Sequence, residues 1–319
     1  MAEGIDMDTT EQIVDGTTEP APPVRTRPSS FIWDAVAPAP LASDPRQTAG
    51  RTRKSLIFAN DKSSGKTTSA NAVLVGLLQR FPALMNSVEV REYERHPRLA
   101  AIFHNEAGIG TISHRDARNA AAFETTRELA RDPNATVWDD MIYAIGVGDL
   151  VIDLGSNMFT EICRILDDEP HPIFPEDGDR VGVVVPVTTA GDSLESGVSA
   201  IESVLSWGDK THVFIIEQEY FGRFDDTEMR EWNSFRDRLF AAEPGRVDVM
   251  RVERLAVANI GSVVFQRIDR MVSEAQKVLS SDELTGADLV RTLRKARAEI
   301  AWGNRTLQQM QPIVEWFGS

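Results

Sequence analysis

With 319 residues, 49 Asp and Glu against 34 Lys and Arg, and a formal charge of -15, the chain has room for one large α/β core or two small ones, since domains hold about 100 to 200 residues. An acidic excess of this size excludes broad electrostatic wrapping of nucleic acid and leaves only a local basic patch to contact it. No apolar run approaches the roughly 20 residues a membrane helix needs. The N-terminus carries Glu3, Asp6 and Asp8 where a signal sequence has a basic region. The single cysteine, Cys163, lies in an apolar helical run and reads as a core residue, so a soluble protein of the reducing cytoplasm is expected.

Residues 1–50 contain Pro20, Pro22, Pro23, Pro28, Pro38, Pro40 and Pro45 and show no hydrophobic periodicity. Such a segment buries too little apolar surface to offset its ordering entropy and is expected to be a disordered tail. Within it, Phe31, Ile32 and Trp33 form an apolar knot suited to docking on a partner or folding back on the core. The remainder, 51–319, reads as one nucleotide-binding domain whose final part is helical.

From Leu56 the pattern becomes strands alternating with helices. Leu56–Ala59 is predicted as a buried strand, Thr67–Arg80 as a helix and Ser87–Arg91 as a second strand. A long, mostly helical span follows from about Asp116 to Ala144, broken near Asp132-Pro133. Leu150–Asp153 is a strand, Asn157–Asp167 a helix, Val181–Val187 a β-branched strand and Asp192–Trp207 a helix. His212–Ile216 is a strand, Thr227–Ala242 a helix and Val247–Val252 the last strand; from about Ile260 the chain is helical. Near-continuous apolar strands separated by helices predict an α/β fold, a mostly parallel sheet covered by helices on both faces.

The stretch Ser55–Leu78 carries the chemistry. Its turn runs from Asn60 through Asp61, Lys62, Ser63 and Ser64 to Gly65, Lys66, Thr67 and Thr68. The phosphate-loop pattern has a glycine, four residues, then Gly-Lys-Ser/Thr, so that backbone N–H groups curl around phosphate oxygens at a helix N-terminus. Asn60 stands where the first glycine belongs, and Asn is the non-glycine residue that best tolerates left-handed geometry. The placement, strand before and helix after, predicts a site in which Asn60, Ser63, Ser64, Gly65, Lys66, Thr67 and Thr68 cradle a nucleotide. Lys66 would reach its β- and γ-phosphates and Thr67 would ligate Mg²⁺.

Such a site also needs a carboxylate at the end of a neighbouring strand to hold the metal through water. Asp153, after four apolar residues, is placed for this at the switch point of an open sheet. Glu92 and Glu94 follow the second strand and read either as carboxylates that orient an attacking water or as solvated loop charges.

The order of elements from Ser55 to Leu255, with these motifs, resembles the ParA/MinD group of deviant Walker ATPases, and within it the plasmid partition and conjugal-transfer proteins of TraL and StbB type. The resemblance implies the P-loop NTPase fold, Mg²⁺ and ATP as cofactors, a nucleotide-sandwich homodimer, weak ATPase activity and a partner protein of a partition or transfer system. Asp61 falls at the family's signature lysine, with Lys62 next to it as the imperfect substitute. Glu92-Tyr93-Glu94 echoes the family's Asp-x-Asp, Asp153-Leu154-Gly155-Ser156 keeps only the acid of its Walker B strand, and Val183–Gly197 resembles its proline-ended strand and polar loop. The strand that usually ends in an adenine-reading Asn ends here at Ile216-Glu217.

Arg291, Arg294, Lys295 and Arg297 are the counterpart of the family's non-specific DNA-binding side, or else a solvated face paired with Asp288 and Glu299. The terminal stretch Met310–Phe317 is too short, and too poor in lysine around Glu315, for a membrane anchor. His96, His104 and His114 match no closed metal site and are expected in exposed loops. Two rival readings are a small-molecule kinase or ligase related to dethiobiotin synthetase, and a non-hydrolysing scaffold that kept the fold while the loop drifted.

Overall fold

The computed structural model describes residues 51–60, 64–104, 108–116, 140–145, 148–156, 158–168, 180–208, 211–255, 266–280 and 286–319. The proline-rich segment 1–50, Asp61, Lys62, Ser63 and most of the expected helical span between 116 and 144 lie outside these residues.

Seven strands form one parallel sheet: β1 (Lys54–Phe58), β2 (Glu89–Glu94), β3 (Thr111–Asp116), β4 (Leu150–Leu154), β5 (Arg180–Thr188), β6 (Thr211–Gln218) and β7 (Val247–Val252), in the order β3-β2-β4-β1-β5-β6-β7. β1 and β4 are buried at every position, the burial expected where helices cover both faces of a parallel sheet. The expected α/β P-loop fold is therefore present. β1 is central: the chain leaves it toward β2 on one side, and after β4 it crosses to β5 on the other, a reversal that opens a crevice at the strands' C-terminal ends.

The first face is covered by α1 (Lys66–Arg80), the short α2 (Pro82–Met85) and α3 (Leu99–Ile102), and by the C-terminal helices. The second is covered by residues 140–145, α4 (Met158–Asp168), α5 (Gly191–Ser206) and α6 (Arg230–Ala242). The C-terminal helices are α7 (Ile268–Leu279), α8 (Gly286–Gln309) and α9 (Gln311–Gly318). The terminal stretch is core: Ile313, Val314 and Phe317 are buried, and Trp316 stacks edge-on against Phe214 of β6 at 5.4 Å. Arg51 bonds both Asp149 and the Phe317 carbonyl, and Lys54 bonds the Trp316 carbonyl and Ser319 Oγ, tying α9 to the start of β1, at the opposite end of the strands from the loop.

Four expectations are corrected. β3 was not anticipated, because its sequence, TISHRD, is polar and it pairs only with β2 at the sheet edge. His114 is not an exposed loop residue: it sits half-buried on β3, and its Nε2 lies 2.8 Å from the Glu94 carbonyl. β6 continues two residues past Ile216, to Gln218. The helix expected from Thr227 opens instead as a 3-10 turn, Thr227–Met229, and becomes α-helical at Arg230.

Candidate nucleotide site

β1 delivers the chain into the crevice, and Ala59 N–H still bonds the Val184 carbonyl of β5 at 2.8 Å. Asn60 then takes φ 146°, a conformation glycine adopts freely and other residues at a cost. Its side chain offsets that cost: Nδ2 donates to the carbonyls of Pro186 at 2.8 Å and Ser193 at 3.2 Å. Asn60 thus adopts the backbone of the missing glycine and also ties the loop to β5 and α5.

Farther along the loop, Ser64 is buried and its Oγ has no hydrogen-bond partner among the described residues. Gly65, at φ 87°, opens α1 with no side-chain cap, so the first N–H groups of the helix are available to an anion. Lys66 is buried, and its Nζ donates back to the Asn60 carbonyl, closing the loop on itself. Ser69 Oγ bonds the Gly65 carbonyl at 3.0 Å and receives Gln218 Nε2 at 2.9 Å, so the end of β6 braces the loop.

Asp153 meets this loop from β4. Its backbone is in register with Phe58 of β1 on one side and Glu92 of β2 on the other. Thr67 Oγ1 donates to Asp153 Oδ2 at 2.9 Å, whereas Oδ1 is buried with no partner among the described residues. Burial raises the Asp153 carboxyl from 3.8 to about 7; the Thr67 hydroxyl and Lys66 oppose the rise, and Glu92 and Glu94 add to it. A hydroxyl and a carboxylate with a bare oxygen are hard donors, and the pair fits Mg²⁺, which binds through one or two protein oxygens and shares the rest of its shell with water and phosphates. Among the described residues no cluster of three or more His, Cys, Asp or Glu could hold a metal by itself.

The two glutamates after Arg91 separate. Glu92 is fully buried and already occupied: Oε1 accepts the N–H groups of Arg98 and Leu99 at 2.7 and 2.9 Å, and Oε2 that of Ala100 at 2.9 Å. It caps α3 and shapes the turn before it. Glu94 instead lines the cavity beside the loop. Gly155 allows this approach: its N–H bonds the Tyr93 carbonyl at 2.6 Å, and an added Cβ would stand 2.6 Å from that same oxygen.

A cavity of about 380 Å³ runs along the strand ends. At one end lie Ser64, Gly65, Lys66, Thr67, Thr68, Glu94 and Ser156; at the other are Tyr220, Phe221, Val252, Leu255 and Trp302, with Glu253 and Arg254 beside them. Sequence reasoning missed this apolar end, which comes together from β6, β7 and α8. Glu217 is no base reader: it is buried on β6 and bonds Trp232 Nε1 at 2.8 Å, Arg236 at 2.9 Å and Arg251 at 2.8 Å. Arg291, Arg294, Lys295 and Arg297 lie on α8, with Lys295 3.6 Å from Glu299. Cys163 packs half-buried against the second core. No helix among the described residues is long and apolar enough to cross a membrane.

No protein-family model and no curated protein matches the sequence. Among solved structures, the chain is similar to a Borrelia burgdorferi B31 protein assigned to plasmid partition and bound to AMPPNP, with 11% identity over 82% of this chain and 100% of that one, TM-score 0.43. It is also similar to pNOB8 ParA bound to nonspecific DNA, with 11% identity over 82% and 99% of the two chains, TM-score 0.40. A third similarity is to a Cyanothece McdA variant in complex with ATP, with 11% identity over 79% and 98%, TM-score 0.36.

Proposed function

We propose that this chain is a nucleotide-dependent switch that binds ATP with Mg²⁺ at the head of α1, pairs with a second copy in the triphosphate state, and works with a partner protein in DNA or plasmid partition or conjugative transfer. The observation that carries the nucleotide reading is the buried group of Asn60, Lys66, Thr67 and Asp153, with an Asp153 oxygen that has no partner among the described residues beside the Thr67 hydroxyl. The role in DNA maintenance rests on the motif resemblance and on the cations of α8 in an otherwise acidic chain.

In this reading Lys66 and the first N–H groups of α1 neutralise phosphate charge, Thr67 and Asp153 hold the metal, and the apolar end of the cavity takes the base. When bound, Mg²⁺ supplies charge neutralisation on the phosphates. Glu94 is the carboxylate left to orient water, since Glu92 spends its oxygens on three backbone N–H groups. That loss favours weak hydrolysis and keeps a non-hydrolysing scaffold as the second reading, which predicts nucleotide binding without measurable turnover.

Sedimentation velocity of the purified chain in Mg-ATP and in Mg-ADP tests the switch. The proposal expects a dimer with ATP and a monomer with ADP. Equal mass in both nucleotides overturns the switch and leaves nucleotide binding to be judged separately.

A further inference from the structure

The strand order lays out the cavity from end to end. Glu94 ends β2 and Arg98 follows it, Ser156 belongs to the turn after β4, the phosphate loop follows β1, and Tyr220 and Phe221 follow β6. A nucleotide with its base at the apolar β6–β7 end and its phosphates on the loop therefore extends its terminal phosphate toward β4 and β2. On that side Glu94 lines the cavity, with the buried Asp153 on the neighbouring strand, and a triphosphate entering it needs a further cation.

Among the described lining residues on that side, beyond Lys66 of the loop, Arg98 is the cation. It lines the cavity with Glu94 and Ser156, it is exposed, and its guanidinium makes no hydrogen bond or ion pair among the described residues. Its backbone is nonetheless fixed: the buried Glu92 carboxylate accepts the N–H groups of Arg98, Leu99 and Ala100 within 2.7–2.9 Å. A long side chain on an anchored backbone, with its charge uncommitted, is suited to meet a ligand, and the planar guanidinium matches phosphate oxygens in a fork. Resting on the nucleotide reading of this site, we infer that Arg98 contacts the terminal phosphate and is the residue through which the pocket distinguishes a nucleoside triphosphate from a diphosphate. Glu92 is its positioning residue. The buried carboxylate that the sequence offers as a water-orienting group is thereby assigned a different task.

The test is equilibrium titration of the full chain with fluorescent ATP and fluorescent ADP, both with Mg²⁺, for wild type, Arg98→Ala, Arg98→Lys and the neighbouring exposed Arg95→Ala. The inference expects Arg98→Ala to weaken ATP about tenfold, the loss of one charge-assisted hydrogen bond, and to leave ADP within about twofold. Arg98→Lys recovers part of the loss, and Arg95→Ala matches wild type. Far-UV circular dichroism and thermal melting establish that each variant is folded; if Arg98→Ala is not, the ATP-to-ADP ratio of Arg98→Lys decides, and a ratio equal to wild type overturns the inference. A fall in ATP and ADP affinity by the same factor, or in neither, overturns the role of Arg98 alone. A wild type that binds neither nucleotide overturns it together with the nucleotide reading.

Discussion

Thr67 Oγ1 donates to Asp153 Oδ2 at 2.9 Å, across 86 residues of sequence, and leaves the second carboxylate oxygen buried with no partner among the described residues. This contact joins the head of α1 to the end of β4 and holds an acid in the core.

That burial makes stability depend on pH. The Asp153 carboxyl titrates near 3.8 when unfolded and at about 7 when buried, so between those values the folded state holds one proton more than the unfolded state. Stability without metal therefore falls as pH rises from about 4 to about 7 and is flat above, as far as this group is concerned. Asp153→Asn, neutral throughout, is expected to melt at least roughly 3 °C above wild type at pH 8 in EDTA, and to converge with it near pH 4. Adding Mg²⁺ with ATP is expected to stabilise wild type and not the variant. Melting curves across this range read the difference, and equal melting at pH 8 would contradict the buried ionisation.

Asn60 separates backbone strain from side-chain bonding. Asn60→Ala keeps the positive φ and deletes both side-chain hydrogen bonds, a loss of about 2 kcal/mol. Asn60→Gly deletes the same bonds but relieves the backbone, so its stability is expected within about 1 kcal/mol of wild type. Urea denaturation of the two variants measures the gap, and equal stabilities would contradict the glycine-like conformation.

Glu217 offers a contrast in kind. Removing a buried carboxylate that holds two arginines and an indole is expected to cost about 3 kcal/mol for Glu217→Ala. Its nucleotide affinity in the folded protein should match wild type. A variant of normal stability with altered preference between ATP and GTP would contradict this structural role.

The cations of α8 make a prediction about salt. Replacing Arg291, Arg294, Lys295 and Arg297 together by Ala is expected to weaken non-specific duplex binding about tenfold or more and to flatten its dependence on salt concentration. Fluorescence anisotropy at several salt concentrations reads both, and an unchanged slope would exclude this face from DNA contact.

The sheet was legible because β1, β4, β5 and β6 are buried on both faces and so read as apolar runs, whatever the tertiary context. β3 was not: an edge strand with one neighbour needs no such run, and Ile112 is its one large apolar side chain. That Lys66, Thr67 and Asp153 would come together at the strand ends was legible because the expected phosphate and metal chemistry sets both residue type and position relative to a strand end. Glu92 and Glu94 could not be told apart, since which one turns inward depends on the backbone of Arg98–Ala100, which follows Glu92 in the next turn of chain. The tie from Asn60 to Pro186 and Ser193 spans 126 and 133 residues, and no local pattern announces it. Likewise, α9 reads as a short amphipathic tail until Trp316 is seen against Phe214 of β6.

The central claim is that Lys66, Thr67 and Asp153 form one nucleotide and magnesium site, and calorimetric titration of ATP tests it most directly, with and without Mg²⁺, into wild type and Lys66→Ala. The account predicts one nucleotide per chain, tighter binding with Mg²⁺, and a loss of affinity of about a hundredfold in Lys66→Ala, as removal of a buried charge-assisted contact requires. Equal affinity of Lys66→Ala and wild type would contradict it.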